Sequence, residues 1–236
     1  MKSLRLPCIF LLFSFAFNSY AATRWYTVEV IIFANTGNAG VQEELWPKDP
    51  GRPDPGNAVT LVNLGGETLR PVEFQRLPLK KLANSLAAMK RSSRYRVLEA
   101  TAWRLPGLPL KSAPPVLIQA GKRYLPDGQI TSRIPAAPAT SGSLLADNDP
   151  EQLPAALYEL EGRIRISLSR FLDVDADLLY RSNVSLPDAS GALVNEFRSF
   201  RLTEFRRMKS NSIHYLDHPM FGMVIAIDRY GQADSQ

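Results

Sequence analysis

From Leu160 to Leu178 apolar residues recur at almost every second position, and this period constrains the fold more than any other feature of the chain. Leu160, Ile164, Ile166, Leu168, Leu172, Val174, Ala176 and Leu178 take the even positions of a stretch that runs from Tyr158 to Tyr180. A two-residue period sets them all on one face of β structure, since successive side chains of a strand point to opposite sides. The odd positions hold Glu159, Glu161, Arg163, Arg165, Ser167, Ser169, Asp173, Asp175 and Asp177, which predicts a solvated outer face. Strands seldom exceed about ten residues, so a bend or bulge is expected near Arg170 and Phe171, where the alternation is disturbed.

The rest of the chain supplies partners for such a strand. Trp25 to Ala34 is dense in β-branched and aromatic residues and predicts a central strand. From Asn35 to Arg76, Pro47, Pro50, Pro53, Pro55 and Pro71 break up regular structure and predict a long surface connection. After Pro78, Leu79, Leu82, Leu86 and Met89 follow helical spacing, with Lys80, Lys81, Asn84 and Lys90 off that stripe. Tyr95 to Leu105 and Val116 to Tyr124 read as strands. The prolines between them, Pro106, Pro109, Pro114 and Pro115, suit a turn joining antiparallel neighbours. Pro126 to Pro154 has no apolar period and reads as a loop within one domain. Pro187 to Gly191 is a turn, and Leu193 to Met208, Ile213 to Leu216 and Phe221 to Ile227 complete the strands. These expectations make an α+β domain: a largely antiparallel, twisted sheet packed against one main helix at Leu79 to Arg91, with long Pro-rich loops.

The amino terminus predicts export. Lys2 and Arg5 precede an uncharged apolar run from Cys8 to Phe17, too short to cross a bilayer, and Ser19-Tyr20-Ala21 offers the small residues of a cleavage site. Residues 1–21 therefore read as a signal peptide cut before Ala22, leaving residues 22–236 as a single periplasmic domain. Cys8 is the only cysteine and lies inside the signal, so the mature part has no thiol for a disulfide or a thiolate-bound metal. Without Lys2 and Arg5, 26 basic residues face 23 acidic ones, a net charge of +3. That excess favours acidic polymers or anionic headgroups without pointing to nucleic acid.

Catalytic chemistry finds little to work with. The two histidines, His214 and His218, have no nucleophile elbow beside Ser212, which disfavours a hydrolase. His214, Asp217 and His218 resemble a zinc set, but Pro219 and Gly222 predict a turn between strands there and no further soft ligand exists. Asp173, Asp175 and Asp177 lack the glycine and terminal glutamate of a calcium loop, and Gly65-Gly66 lacks the lysine and serine of a phosphate loop. The expectation is a non-enzyme with no metal and no cofactor.

Arg24-Trp25-Tyr26, Val28 to Phe33, then Glu43-Glu44 and Trp46-Pro47, then His214 to Pro219 with Phe221-Gly222 resemble, in order along the chain, the CsiV family of periplasmic peptidoglycan-binding proteins. The resemblance implies a periplasmic, non-enzymatic accessory factor that binds peptidoglycan and supports cell shape and cell-wall assembly. It also implies work through an outer-membrane lipoprotein that activates a penicillin-binding protein. An alternative is an interaction adaptor for that lipoprotein without specific wall binding; an envelope hydrolase is a third.

Glycan rings have apolar faces and peptide stems carry carboxylates, so a contact face should join aromatics to arginines. Arg198, Arg201, Arg206, Arg207 and Lys209 crowd one strand. The candidate binding residues are Arg206, Arg207, His214, Tyr215, Asp217, His218 and Trp46. In the competing account, the arginines pair with Asp173, Asp175 and Asp177 across strands and the aromatics are core.

Overall fold

The computed structural model describes residues 24–37, 46–64, 72–132, 157–187 and 190–231. The signal, Glu43-Glu44 and most of the loop expected from Pro126 to Pro154 lie outside them. In chain order the elements are β1 (Trp25–Asn35), β2 (Arg76–Leu77), helix α1 (Ala83–Arg91), β3 (Tyr95–Pro106), β4 (Val116–Tyr124), β5 (Leu157–Leu168), β6 (Leu172–Pro187), β7 (Leu193–Met208), β8 (Ile213–His218) and β9 (Phe221–Arg229). They build two antiparallel sheets, a five-stranded one ordered β2-β3-β1-β9-β8 and a four-stranded one ordered β4-β5-β6-β7. Among the described residues the protein is predominantly β, with two sheets and one nine-residue helix. The expected single sheet on a main helix is corrected: the principal core lies between the sheets, and the helix covers a smaller patch behind one of them.

β1 is central, as its composition predicts, because both of its faces are covered. Tyr26, Val28, Val30, Ile32 and Ala34 point into the core between the sheets, joined there by Trp103, Ile164, Val174, Leu178, Phe200 and Ile225. Ile31 and Phe33 point the other way, under Leu82, with Leu79, Leu86 and Met89 packed around them. The helical stripe read from the sequence is therefore the packing face, but the helix begins only at Ala83. Glu29, on the same face of β1, explains the start. Its carboxylate accepts the backbone N–H groups of Lys80, Lys81 and Leu82 at 2.9–3.1 Å, donors that a helix end leaves unpaired.

The long alternating stretch is a hairpin rather than one bent strand. β5 and β6 pair as Leu160↔Tyr180, Ile164↔Ala176, Ile166↔Val174 and Leu168↔Leu172, with Ser169 to Phe171 as the turn. Even positions face even positions in this register, so the apolar face continues through the turn without a break in phase. The prolines between β3 and β4 also act otherwise than expected. They carry the chain from one sheet to the other, so β3 and β4 are not paired neighbours.

A strap formed by residues 46–64 wraps the four-stranded sheet. Trp46 packs at the open edge between β7 and β8, 5.5 Å from the Phe200 ring and 4.8 Å from that of His218. The chain then crosses the outer face, where Pro50 accepts a hydrogen bond from Arg201 and Arg52 pairs with Glu161. It bridges β4 at Val59↔Val116 and reaches Gln75 from Val62. Under this crossing the odd face is not wet: Glu161, Asp177, Leu179 and Arg181 are buried.

Candidate functional site

The seven residues singled out from the sequence converge on the corner where β7 meets β8, but they point in several directions. His214, Leu216 and His218 share one side of β8, while Tyr215 and Asp217 take the other, by the alternation of a strand. The strand expected over Ile213 to Leu216 is present and runs on to His218, which corrects the turn expected around His214 and His218: between β8 and β9 only Pro219 and Met220 turn. Arg206 and Arg207, adjacent on β7, diverge for the same reason.

His218 belongs to the core. Its ring lies 4.8 Å from that of Trp46 and 5.0 Å from that of Phe221, and its Nδ1 accepts the Met220 N–H at 3.1 Å. Burial pushes its pKa down to about 4, against the weaker opposing pull of Asp217, so the ring is neutral at physiological pH. Trp46 is held between His218 and Phe200. His214 is fastened to the Lys209 backbone, with Nε2 3.2 Å from its nitrogen and 3.3 Å from its oxygen. Among the described residues, no group of three or more His, Cys, Asp or Glu side chains is placed to hold a metal ion.

Tyr215 is exposed and stacked parallel to Phe33 at 6.0 Å. Partial burial, and then the Asp217 carboxylate that accepts its hydroxyl hydrogen at 2.6 Å, push its pKa up. Arg206 reaches toward the other sheet, donating to the Tyr215 carbonyl at 2.8 Å and pairing with Glu204. Arg207 lies on the outer face of the four-stranded sheet, its guanidinium 3.9 Å from the Phe171 ring centre and 3.9 Å from Asp173.

Pairing of arginines with the aspartate ladder occurs, in graded form. Arg201 makes two hydrogen bonds to Asp177, at 2.8 and 3.0 Å, Arg163 reaches Asp175 at 3.1 Å, and Arg207 is only loosely held. Deeper on this face Glu161 accepts from buried Arg181 at 2.7 Å and from Arg52 at 3.0 Å. Burial alone would raise the Glu161 carboxyl, but hydrogen bonds and charge from Arg181 and Arg52 outweigh it and hold the group below the usual carboxylate range.

Beside the β8–β9 turn, with Met220 in its wall, a cleft of about 250 Å³ is lined by Arg96, Lys122, Tyr124, Glu159 and Tyr180. Its carboxylate is already occupied: Glu159 takes both terminal nitrogens of Arg96 and the Lys122 N–H. Burial, followed by the Glu159 charge, pushes Tyr124 up to about 12. A base with both oxygens engaged is poorly set for proton transfer, and the arrangement reads as a closed ion pair.

Sequence reasoning missed the exposed aromatics of the outer face, Phe205 at 62 % and Phe171 at 40 %. The signal for Phe205 was present. On β7 the buried Phe200, Leu202 and Met208 are all even, and an aromatic in the odd phase of such a strand faces away from the core.

The family model described as "Peptidoglycan-binding protein, CsiV" matches residues 4–230. None of the curated proteins and none of the solved structures compared with the chain matches it.

Proposed function

Because the chain belongs to the CsiV family of peptidoglycan-binding proteins, we propose that it is a non-enzymatic periplasmic accessory protein that holds peptidoglycan and supports wall assembly and cell shape. The observation that carries this reading is the family match over residues 4–230, nearly the whole chain. The surface chemistry supports it, since exposed arginines lie beside exposed aromatic rings on one sheet. Of the seven candidate residues, Arg207 is the one we carry into the contact. Its side chain is 64 % exposed, and its nearest carboxylate stands 3.9 Å away. His218 and Trp46 support the corner from within. In this reading an outer-membrane lipoprotein that activates a penicillin-binding protein is the protein partner.

Co-sedimentation of the mature protein with purified sacculi tests the proposal. Retention should persist when salt is raised enough to screen exposed charges. Release at modest salt would reduce the interaction to charge attraction and favour the adaptor, whose binding to the lipoprotein would then survive in the absence of wall.

A further inference from the structure

We infer that peptidoglycan is held on the open part of the outer face of the four-stranded sheet, with Phe205, Arg207 and Phe171 as a platform for sugar rings and Arg165 as the anchor for a stem-peptide carboxylate. The inference rests on the wall-binding reading above and assigns it a face and a ligand group. Register defines the site. Arg165, Asp175 and Phe205 form one row across β5, β6 and β7, and Ser167, Asp173 and Arg207 form the next. The strap covers the rows on the far side of Asp177, at Glu161 and Arg201; in the two rows beyond it Phe205 and Arg207 are exposed, as is the β5–β6 turn, and Ser167 is buried.

Three features make the surface a receptor rather than a solvated charge ladder. Phe205 is 62 % exposed near the end of the edge strand β7, in the row next to exposed Arg207, where a polar residue would serve solvation better. Arg207 and Arg170 lie 3.9 and 5.6 Å from the Phe171 ring centre, so the turn aromatic carries guanidinium groups whose N–H edges remain available. Arg165 makes no hydrogen bond or ion pair among the described residues, and its buried Nε has no acceptor. The neighbouring Asp175 is engaged by Arg163 instead.

The geometry suits a glycan bearing short acidic peptides. Phe205 and Arg207 are two residues apart on one strand face, about 7 Å, and Phe171 extends the line beyond Arg207, giving room for adjacent sugar rings. Asp173 and Asp175 can accept sugar hydroxyls, and a carboxylate branching from the strand would meet Arg165 with two parallel hydrogen bonds. Arg163 and Arg207 approach Asp175 and Asp173 at 3.1 and 3.9 Å, Arg165 stands opposite Asp175 in the register, and Arg170 lies over the Phe171 ring. The local excess is therefore positive.

The test uses the mature protein with two probes, intact sacculi and sacculi stripped of their free carboxylates by carbodiimide-driven amidation, which leaves the cross-linked mesh insoluble. Wild type should bind intact sacculi and lose roughly tenfold on the stripped form, the scale of one charged hydrogen bond. Arg165→Gln should lose about as much on intact sacculi and match wild type on stripped ones. Phe205→Ala should lose on both. Ile213→Ser, an exposed change on β8, should lose on neither. Melting temperature checks folding, and Phe205→Ala with Arg207→Gln carries the test should Arg165→Gln misfold. Equal wild-type binding to both probes refutes carboxylate recognition. Folded Arg165→Gln and Phe205→Ala proteins that bind like wild type overturn the placement and leave the family reading standing, and a loss in Ile213→Ser instead moves the contact to the β8 corner. Failure of wild type to bind intact sacculi removes this inference and the wall-binding reading together.

Discussion

His218 is neutral in the folded protein because burial among aromatic rings, with one backbone donor on its Nδ1, outweighs the attraction of the Asp217 carboxylate for an imidazolium. Its folded pKa, about 4, lies below the ordinary 6.5. The unfolded chain therefore binds more protons between these values, and stability rises with pH across that window. Its contribution is complete above pH 6.5 and lost as pH falls toward 4, about 3 kcal/mol by linkage. A His218→Asn variant keeps an acceptor near the Met220 N–H, and its melting temperature should show a flatter dependence from pH 6.5 to 4. An identical slope in both proteins would place the titration elsewhere. The Glu161 cluster makes a different prediction. Glu161→Ala leaves Arg181, 3 % exposed, without its countercharge and should cost about 3–5 kcal/mol in urea unfolding. Arg52→Ala removes a partner that is 64 % exposed and should cost less than about 1 kcal/mol. Comparable losses would mean that the strap, rather than the buried charge, dominates.

Elements in this protein are often finished by residues distant in sequence. Helix α1 has no side-chain cap of its own, and Glu29 from β1 serves in its place. Glu29→Ala would strip the acceptor from three backbone N–H groups at once, so a loss of about 2 kcal/mol or more is expected, together with faster amide exchange at Lys81 and Leu82. Unchanged exchange there would show that the helix start is held by packing alone. In the β5–β6 hairpin, the strand character of Tyr158 to Tyr180 was legible and the reversal was not. Pairs such as Ile166↔Val174 preserve parity, so the alternation reads the same for one long strand as for two short ones. The only local sign was the disturbance at Arg170 and Phe171. The β3–β4 connection failed for the opposite reason: prolines mark a departure from regular structure but not which sheet receives the chain next.

For the molecule as a whole, the first described contacts begin at the Arg24 carbonyl, which accepts the Gly107 N–H at 2.7 Å, and the core begins at Tyr26. Cleavage before Ala22 would remove none of these. Amino-terminal sequencing of periplasmic protein should begin at Ala22, and a chain made to start there should melt at the same temperature as the exported one. Recovery of Met1 from the periplasm would refute the signal reading. The sequence by itself determined the β character, through two-residue periods and β-branched runs whose side-chain directions follow from local geometry alone. It also determined the centrality of β1, whose unbroken apolar run from Val30 to Ala34 requires cover on both faces, and membership of the family, through motifs spread from Arg24 to Gly222. The tertiary structure alone decided that there are two sheets, that the candidate residues at the β7–β8 corner face apart, and that half of a charged strand face is buried. Each of these depends on where distant segments land, above all on the strap of residues 46–64, whose proline-rich sequence has no period to announce which surface it covers.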